Sequence, residues 1–401
     1  MPSFPFVVDG VSKLAVRGYS FGAEYLNNNA LNKRGDEPPK FPEMPAWGAA
    51  IIGATALFFV FFLASIQYTI GDVISTLAMI ETPAAEVTFT ESDEPDNTLD
   101  KEQKEHLLET SPTVTIAPIK PITSNIRGTI KHLRSQAGRT SRWRGIVPAV
   151  IYSFLVSISF NLVQAIIPGE FGLLRMPIVN SLAALPLARL HMAWTHAMIS
   201  QPSNLRWYQR IQPLSSYKQL WLPTIVSHSA AIYAVYATGY FAVLISQLFL
   251  SDTMDALTEG KAVSGAAITG SILSVFAIFF FAVFAGLFIV LPAHVTLVRI
   301  EASLLPEDQD TIVPFDRSFG GKVVPKVLGG SGAVGFLDAW KTFNWEARRR
   351  LIKLYVKNAA IQMMTVFTFV HLIAFEALAI MGKDIKHYMC KMNKYQKEHS
   401  Q

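Results

Sequence analysis

The chain has 401 residues, of which 51% are hydrophobic and only 16% charged, with a formal net charge of +5. A soluble protein carries nearer a quarter charged residues, so this composition argues against a soluble multidomain enzyme. The basic residues sit beside apolar runs, which assigns the positive excess to topology signals and anionic headgroups rather than nucleic acid. The single cysteine, Cys390, excludes an intramolecular disulfide and a cysteine-rich metal site.

Residues 1–46 form an N-terminal tail with five basic and five acidic residues. That is too acidic for a mitochondrial presequence, so the first apolar helix reads as an uncleaved anchor, with endomembrane or plasma membrane favoured. A helix needs about 20 apolar residues to cross a ~30 Å hydrocarbon core. Residues 47–80 meet that test, interrupted only by Asp72. Between residues 81 and 109 stand ten acidic residues and two lysines, whereas 120–144 holds seven basic residues and no acid. The expectation is an acidic then basic disordered loop over 81–144, its basic part at most a membrane-proximal helix.

The region 145–291 is predicted to hold transmembrane helices two to five. Gly145 to Ile167, Trp221 to Leu250 and Gly265 to Leu291 are uncharged; Met176 to Ser200 is weaker, containing Pro177, Pro186, Arg189, His191 and His196. Loop charge arbitrates, because short cytoplasmic loops are rich in Lys and Arg. With six spans the loops on one side carry 22 basic residues against 12 on the other, and six is favoured over five. The 22-residue side then reads as cytoplasmic. In the loop 292–358, Phe336, Trp340, Phe343, Ala347, Leu351 and Leu354 follow helical spacing, with Lys341, Arg348, Arg349 and Lys353 as a basic complement. This predicts an interfacial amphipathic helix running into the last span, 359–381, which is followed by a basic tail, 382–401. The fold class is an all-α polytopic bundle.

Motif searches return mostly negatives. No two histidines stand three or four apart, and His191 and His196 lie about 140° apart round a helix, so no shared metal is read. No paired aspartates, nucleophile elbow or phosphate loop occurs, and no cofactor is implied. Gly330-Ser331-Gly332-Ala333-Val334-Gly335 matches a dinucleotide glycine pattern without its strand context and reads as a hinge. Polar residues inside spans are better leads, because burying them in lipid is costly. Arg189 and His196, the stripe Tyr233, Tyr236 and Tyr240, and Glu376 define a candidate intramembrane polar cavity in which Arg189 and Glu376 neutralise each other. The competing expectation makes them structural, with the tyrosines bonded to neighbouring helices.

The stretches Lys120-Pro121-Ile122-Thr123-Ser124, Ile130-Lys131-His132-Leu133-Arg134, Leu291-Pro292-Ala293-His294-Val295-Thr296 and Asp338-Ala339-Trp340-Lys341-Thr342-Phe343 resemble a family of multi-span membrane proteins from filamentous fungi. A ubiquitin-carrier label sometimes attached to such proteins finds no support here, since Cys390 sits in a short lysine-rich tail. The resemblance implies a multi-pass membrane protein and carries over no catalytic or binding residues. Three function classes follow. One is a non-enzymatic scaffold or regulator whose partners are membrane lipids and proteins docking on charged loops. The second is a transporter or channel using the polar span residues. The third is a lipid-modifying enzyme with a site near His294, Arg299 and Glu301.

Overall fold

A computed structural model describes residues 44–82, 85–90, 113–118, 120–249, 264–324 and 328–399. The helices are α1 (Ala46–Ile80), α2 (Ile126–Ala137), α3 (Ile146–Ile166), α4 (Arg175–Ala184), α5 (Ala188–Ile199), α6 (Tyr217–Phe249), α7 (Gly265–Ser303), α8 (Phe336–Lys341) and α9 (Trp345–His399). Among the described residues six helical stretches are long and apolar enough to cross a bilayer, the third being α4 and α5 joined by a 3-10 turn at Leu185–Leu187. The protein is an all-α membrane bundle, and the segment with Pro177 and Pro186 is one of its six candidate spans.

These helices are longer than a bilayer requires. The 35 residues of α1 extend ~52 Å at 1.5 Å per residue, against ~30 Å of hydrocarbon. Burial shows where the surplus goes. Leu57, Phe58 and Phe61 of α1 are exposed, as are Val150, Phe154 and Leu162 of α3, whereas Val73, Ile74, Leu77 and Ile80 are fully buried. The buried end of α1 packs with α5, the last third of α7, the start of α9 and α2 into one core. Among the described residues, the connections 200–216 and 304–335 pack on this side, with Trp207, Ile211, Ile312 and Val313 in or against the same core. The molecule is therefore a lipid-facing half standing on a packed base.

In the lipid-facing half the helices pack chiefly in two lobes, α1 with α9 and α3–α4–α6–α7 in series. Phe59 and Phe369, 4.7 Å apart, join the first lobe, and Gly48 lets α1 approach Ile380 closely. A seam of hydroxyls and amides joins the second: Asn180 Nδ2 donates to His228 O (3.0 Å), Ser181 meets Ser229 (2.9 Å), and Tyr152 Oη meets His228 Nε2 (3.2 Å).

Two expectations for the loops change. The basic stretch holds a helix: α2 is capped by Asn125, whose side chain accepts from Arg127 N, and stopped by Gly138 at φ 78°. It buries Thr129 and Leu133 and exposes Arg127, Lys131 and Arg134 as one stripe. Within the stretch expected to be disordered, Ala85–Thr90 also pairs antiparallel with Thr113–Pro118, from Ala85↔Pro118 to Thr90↔Thr113, as β-branched residues favour. The acidic tract at 91–112 and the tail at 1–43 lie outside the described residues. The predicted amphipathic helix is two helices, α8 and α9. Asn344 breaks it by capping the second, its Oδ1 accepting from Ala347 N at 2.9 Å. Phe343, Ala347, Leu351 and Leu354 are buried as the spacing predicts, while Trp345 is 65% exposed.

Candidate functional site: a buried polar centre in the base

The first span must end inside the base, where its last carbonyls have no helical partner. Two arginines supply donors. Arg299, 7% exposed, donates from Nη1 to Met79 O (2.9 Å), from Nε to Ala339 O (2.8 Å) and from Nη2 to Thr342 Oγ1 (3.0 Å). Its guanidinium also lies 4.8 Å from the Phe319 ring and 5.3 Å from that of Phe343. Arg350 reaches Glu81 O at 3.2 Å and the Glu81 carboxylate at 3.5 Å. That carboxylate accepts from Thr123 N (3.1 Å) and Thr123 Oγ1 (2.5 Å), which fixes the approach to α2. Cations at a helix C-terminus also complement its dipole.

Beside this lies a carboxylate–imidazole centre. Glu301 on α7 is fully buried. His191 Nδ1 donates to its Oε1 at 2.6 Å, and Thr195 Oγ1 donates to its Oε2 at 2.5 Å. His196 Nε2 donates to the Glu301 carbonyl at 2.8 Å. His191 and Thr195 stand four apart and so share one face of α5. A cavity of ≈ 10 Å³ adjoins them, lined by Asp72, Thr76, His191, Thr195, His294 and neighbouring apolar groups, about enough for one water. An oriented carboxylate–imidazole pair can bind or relay a proton. Among the described residues no three His, Cys, Asp or Glu side chains converge as a metal site requires.

Asp72 also forms the floor of a lateral cleft of ≈ 440 Å³ between the lobes, where α1 faces α3. Tyr68 and Trp194 stand beside it with rings 6.4 Å apart and nearly parallel. Tyr68 donates to Arg144 O at 2.5 Å, and Trp194 Nε1 donates to Tyr68 Oη at 3.2 Å. Ile146, Val150 and Phe154 form an apolar wall.

The residues proposed as one intramembrane cavity do not meet. Arg189 donates to Gln212 O at 2.6 Å and lies over Tyr217, at the edge of the base. Glu376 instead accepts from Thr55 at 2.9 Å, within the other lobe. Two of the tyrosines turn outward, Tyr233 being exposed and Tyr240 70% exposed, and Tyr236 is half-buried, because the packing face of α6 runs through Thr224, Ser227 and His228. Tyr233 stands five residues, about 140°, from His228. Tyr236 meets only the edge of Tyr233 within this stripe. Of the six, His196 alone reaches the polar centre. The cluster at His294, Arg299 and Glu301 belongs to it, with His191, Thr195 and Asp72 added by the fold. The signal for the partner was His191-x-x-x-Thr195; a search for paired histidines passes over it.

The glycine run at 330–335 is a loop anchored to α7. Ala333 and Val334 are buried, and Val334 N donates to Ser303 Oγ at 3.2 Å. It leads into the six-residue α8, too short for a dinucleotide fold. No protein-family profile matches the chain, and no curated protein matches it.

Proposed function

We propose that this integral membrane protein is a non-enzymatic scaffold that holds a rigid platform at the cytoplasmic face of its membrane. The observation that carries this reading is the fate of the charges in the base. Arg299, Glu81, Glu301 and Arg350 are engaged internally, tying five helices and the approach to α2 together, while α2 displays Arg127, Lys131 and Arg134 outward. Buried ionic groups of this kind fix one arrangement rather than open a site. The exposed stripe suits anionic headgroups or an acidic partner surface.

Photo-crosslinking residues placed at Lys131 and Arg134, and at Leu162 on the lipid-facing side of α3, test it in native membranes. Discrete protein adducts from the first two, absent from the third, are the expected outcome. Lipid adducts alone from all three positions remove the scaffold reading. A second reading, a lipid-modifying enzyme, is favoured by one observation: the cleft between α1 and α3 ends at Asp72, beside His191 and Glu301. Under it, Glu301→Gln abolishes turnover of a membrane lipid in cells while the protein remains folded.

A further inference from the structure

A second lateral cleft, of ≈ 260 Å³, opens where the α1–α9 lobe faces α7. Both α1 and α7 carry a π-helical segment at this place, Gln67–Ile74 and Gly286–Val290. Such segments insert a residue into the helix and recur at functional sites. Here they border a gap between the lobes that side chains leave unfilled.

The polar groups of this cleft are neutral. Gln67 Oε1 accepts from Asn358 Nδ2 at 3.1 Å and also from Gln362 Nε2. Asn358 is 5% exposed, yet among the described residues its Oδ1 has no hydrogen-bond partner. Buried polar atoms are normally paired, so an orphan acceptor on a residue that lines a cleft points to a missing donor. The remaining lining is apolar and comes mostly from α7, and no charged side chain contributes. A phosphate or ammonium headgroup would be buried there without a counter-charge, which is costly.

Depth completes the picture. Gln67 lies two residues beyond Ser65, which accepts from Trp143 at the foot of α3, where tryptophan suits the headgroup boundary. From this level the cleft follows α7 from Leu291 to Phe279, ~18 Å along the helix, into the lipid-exposed half. We infer that the cleft binds a neutral lipid carrying a hydroxyl on an apolar body, the hydroxyl donating to Asn358 Oδ1 and the body lying against α7. Sterols and diacylglycerols share this chemistry.

The full chain in phosphatidylcholine nanodiscs provides the test, with photoreactive sterol, diacylglycerol and phosphatidylcholine probes and peptide mapping. One neutral probe should label 279–291 or 355–362, and which one it is separates a fused-ring ligand from a two-chain ligand. The unlabelled alcohol should compete about tenfold better than its methyl ether, the worth of one hydrogen bond. Gly286→Leu fills the cleft from a position whose added Cβ meets nothing within 4 Å, and should cut labelling roughly fivefold. Asn358→Leu removes the orphan acceptor and should also lose labelling, and both variants should keep the thermal stability of the parent. The inference fails if neither neutral probe labels the cleft or phosphatidylcholine labels it equally well. It fails too if the ether competes like the alcohol, or if Gly286→Leu, folded as the parent, labels unchanged.

Discussion

Replacing Arg299 by alanine strands two buried carbonyls, Met79 O and Ala339 O, that the guanidinium now satisfies. An unsatisfied buried acceptor costs about 1–3 kcal/mol, so the pair costs ~4 kcal/mol. Losing the contacts with the Phe319 and Phe343 rings adds about 1 kcal/mol. The Thr342 hydroxyl keeps its own bond to Asp338 O and adds little. A domain of 150–250 residues loses roughly 2–4 °C in Tm per kcal/mol, and less as size grows; for this chain the expected fall is about 8–10 °C. Thermal challenge of detergent-solubilised protein followed by fluorescence-detected size exclusion reads it. Arg299→Lys should fall between alanine and the parent, because one ammonium cannot span three acceptors that a planar fork reaches. An alanine variant within about 2 °C of the parent, or a lysine variant equal to it, would refute the view that the guanidinium clamps the end of the first span.

The same assay checks Glu301. Glu301→Ala leaves His191 and Thr195 without their acceptor and should cost about 3–5 kcal/mol, as breaking buried pairs does, with Glu301→Gln milder because an amide oxygen still accepts. Gly145 sits at φ 70° with an added Cβ 3.0 Å from Trp194 Cδ1, so Gly145→Ala should cost about 1–2 kcal/mol. Gly239→Ala, in open space on a helix, should instead be neutral or gain ~0.5 kcal/mol. Asp316 holds the turn at 316–320 by accepting from Ser318 Oγ (2.6 Å), Ser318 N and Gly320 N, and the Ser318 hydroxyl foremost lowers its pKa below the usual carboxylate value. A lowered folded pKa means stabilisation present above about pH 4, the unfolded value, and lost as pH falls through the folded one. Protection from hydrogen exchange across this turn, taken relative to the intrinsic rate at each pH, should fall below about pH 4, and Asp316→Asn should remove that acid dependence.

The spans were legible because hydrocarbon imposes a length and a composition that each helix must satisfy alone. The kinked third segment was recoverable for the same reason, with loop charge as arbiter. What escaped was partnership between helices. Glu301 and His191 are 110 positions apart, and no pattern local to either announces the other. Depth was misjudged as well: Arg189 and His196 lie on an apolar stretch, yet their end of it is built into the base rather than exposed to acyl chains. The tyrosines of α6 differ in the converse way, since three hydroxyls at mid-span suggest an interior and the fold exposes Tyr233 and Tyr240 while leaving Tyr236 half-buried. The charge of Lys120 to Arg144 points to a membrane-proximal helix without naming what that helix packs against. Thr129 and Leu133 sufficed to pin it once a base existed to receive them.

The π segments of α1 and α7 have a consequence for how this chain tolerates length changes. Each surplus residue is taken up by a widened turn, so the helix beyond it keeps the facing it would have without the insertion. Deleting one residue from either segment would close that turn to an ordinary α turn and leave the same side chains presented to the opposite lobe, whereas a deletion in the α-helical part above would turn everything beyond it by about 100°. Length changes are thus absorbed at these two places and act as rotations elsewhere, so the first kind should leave thermal stability near that of the parent while the second loses the match between lobes.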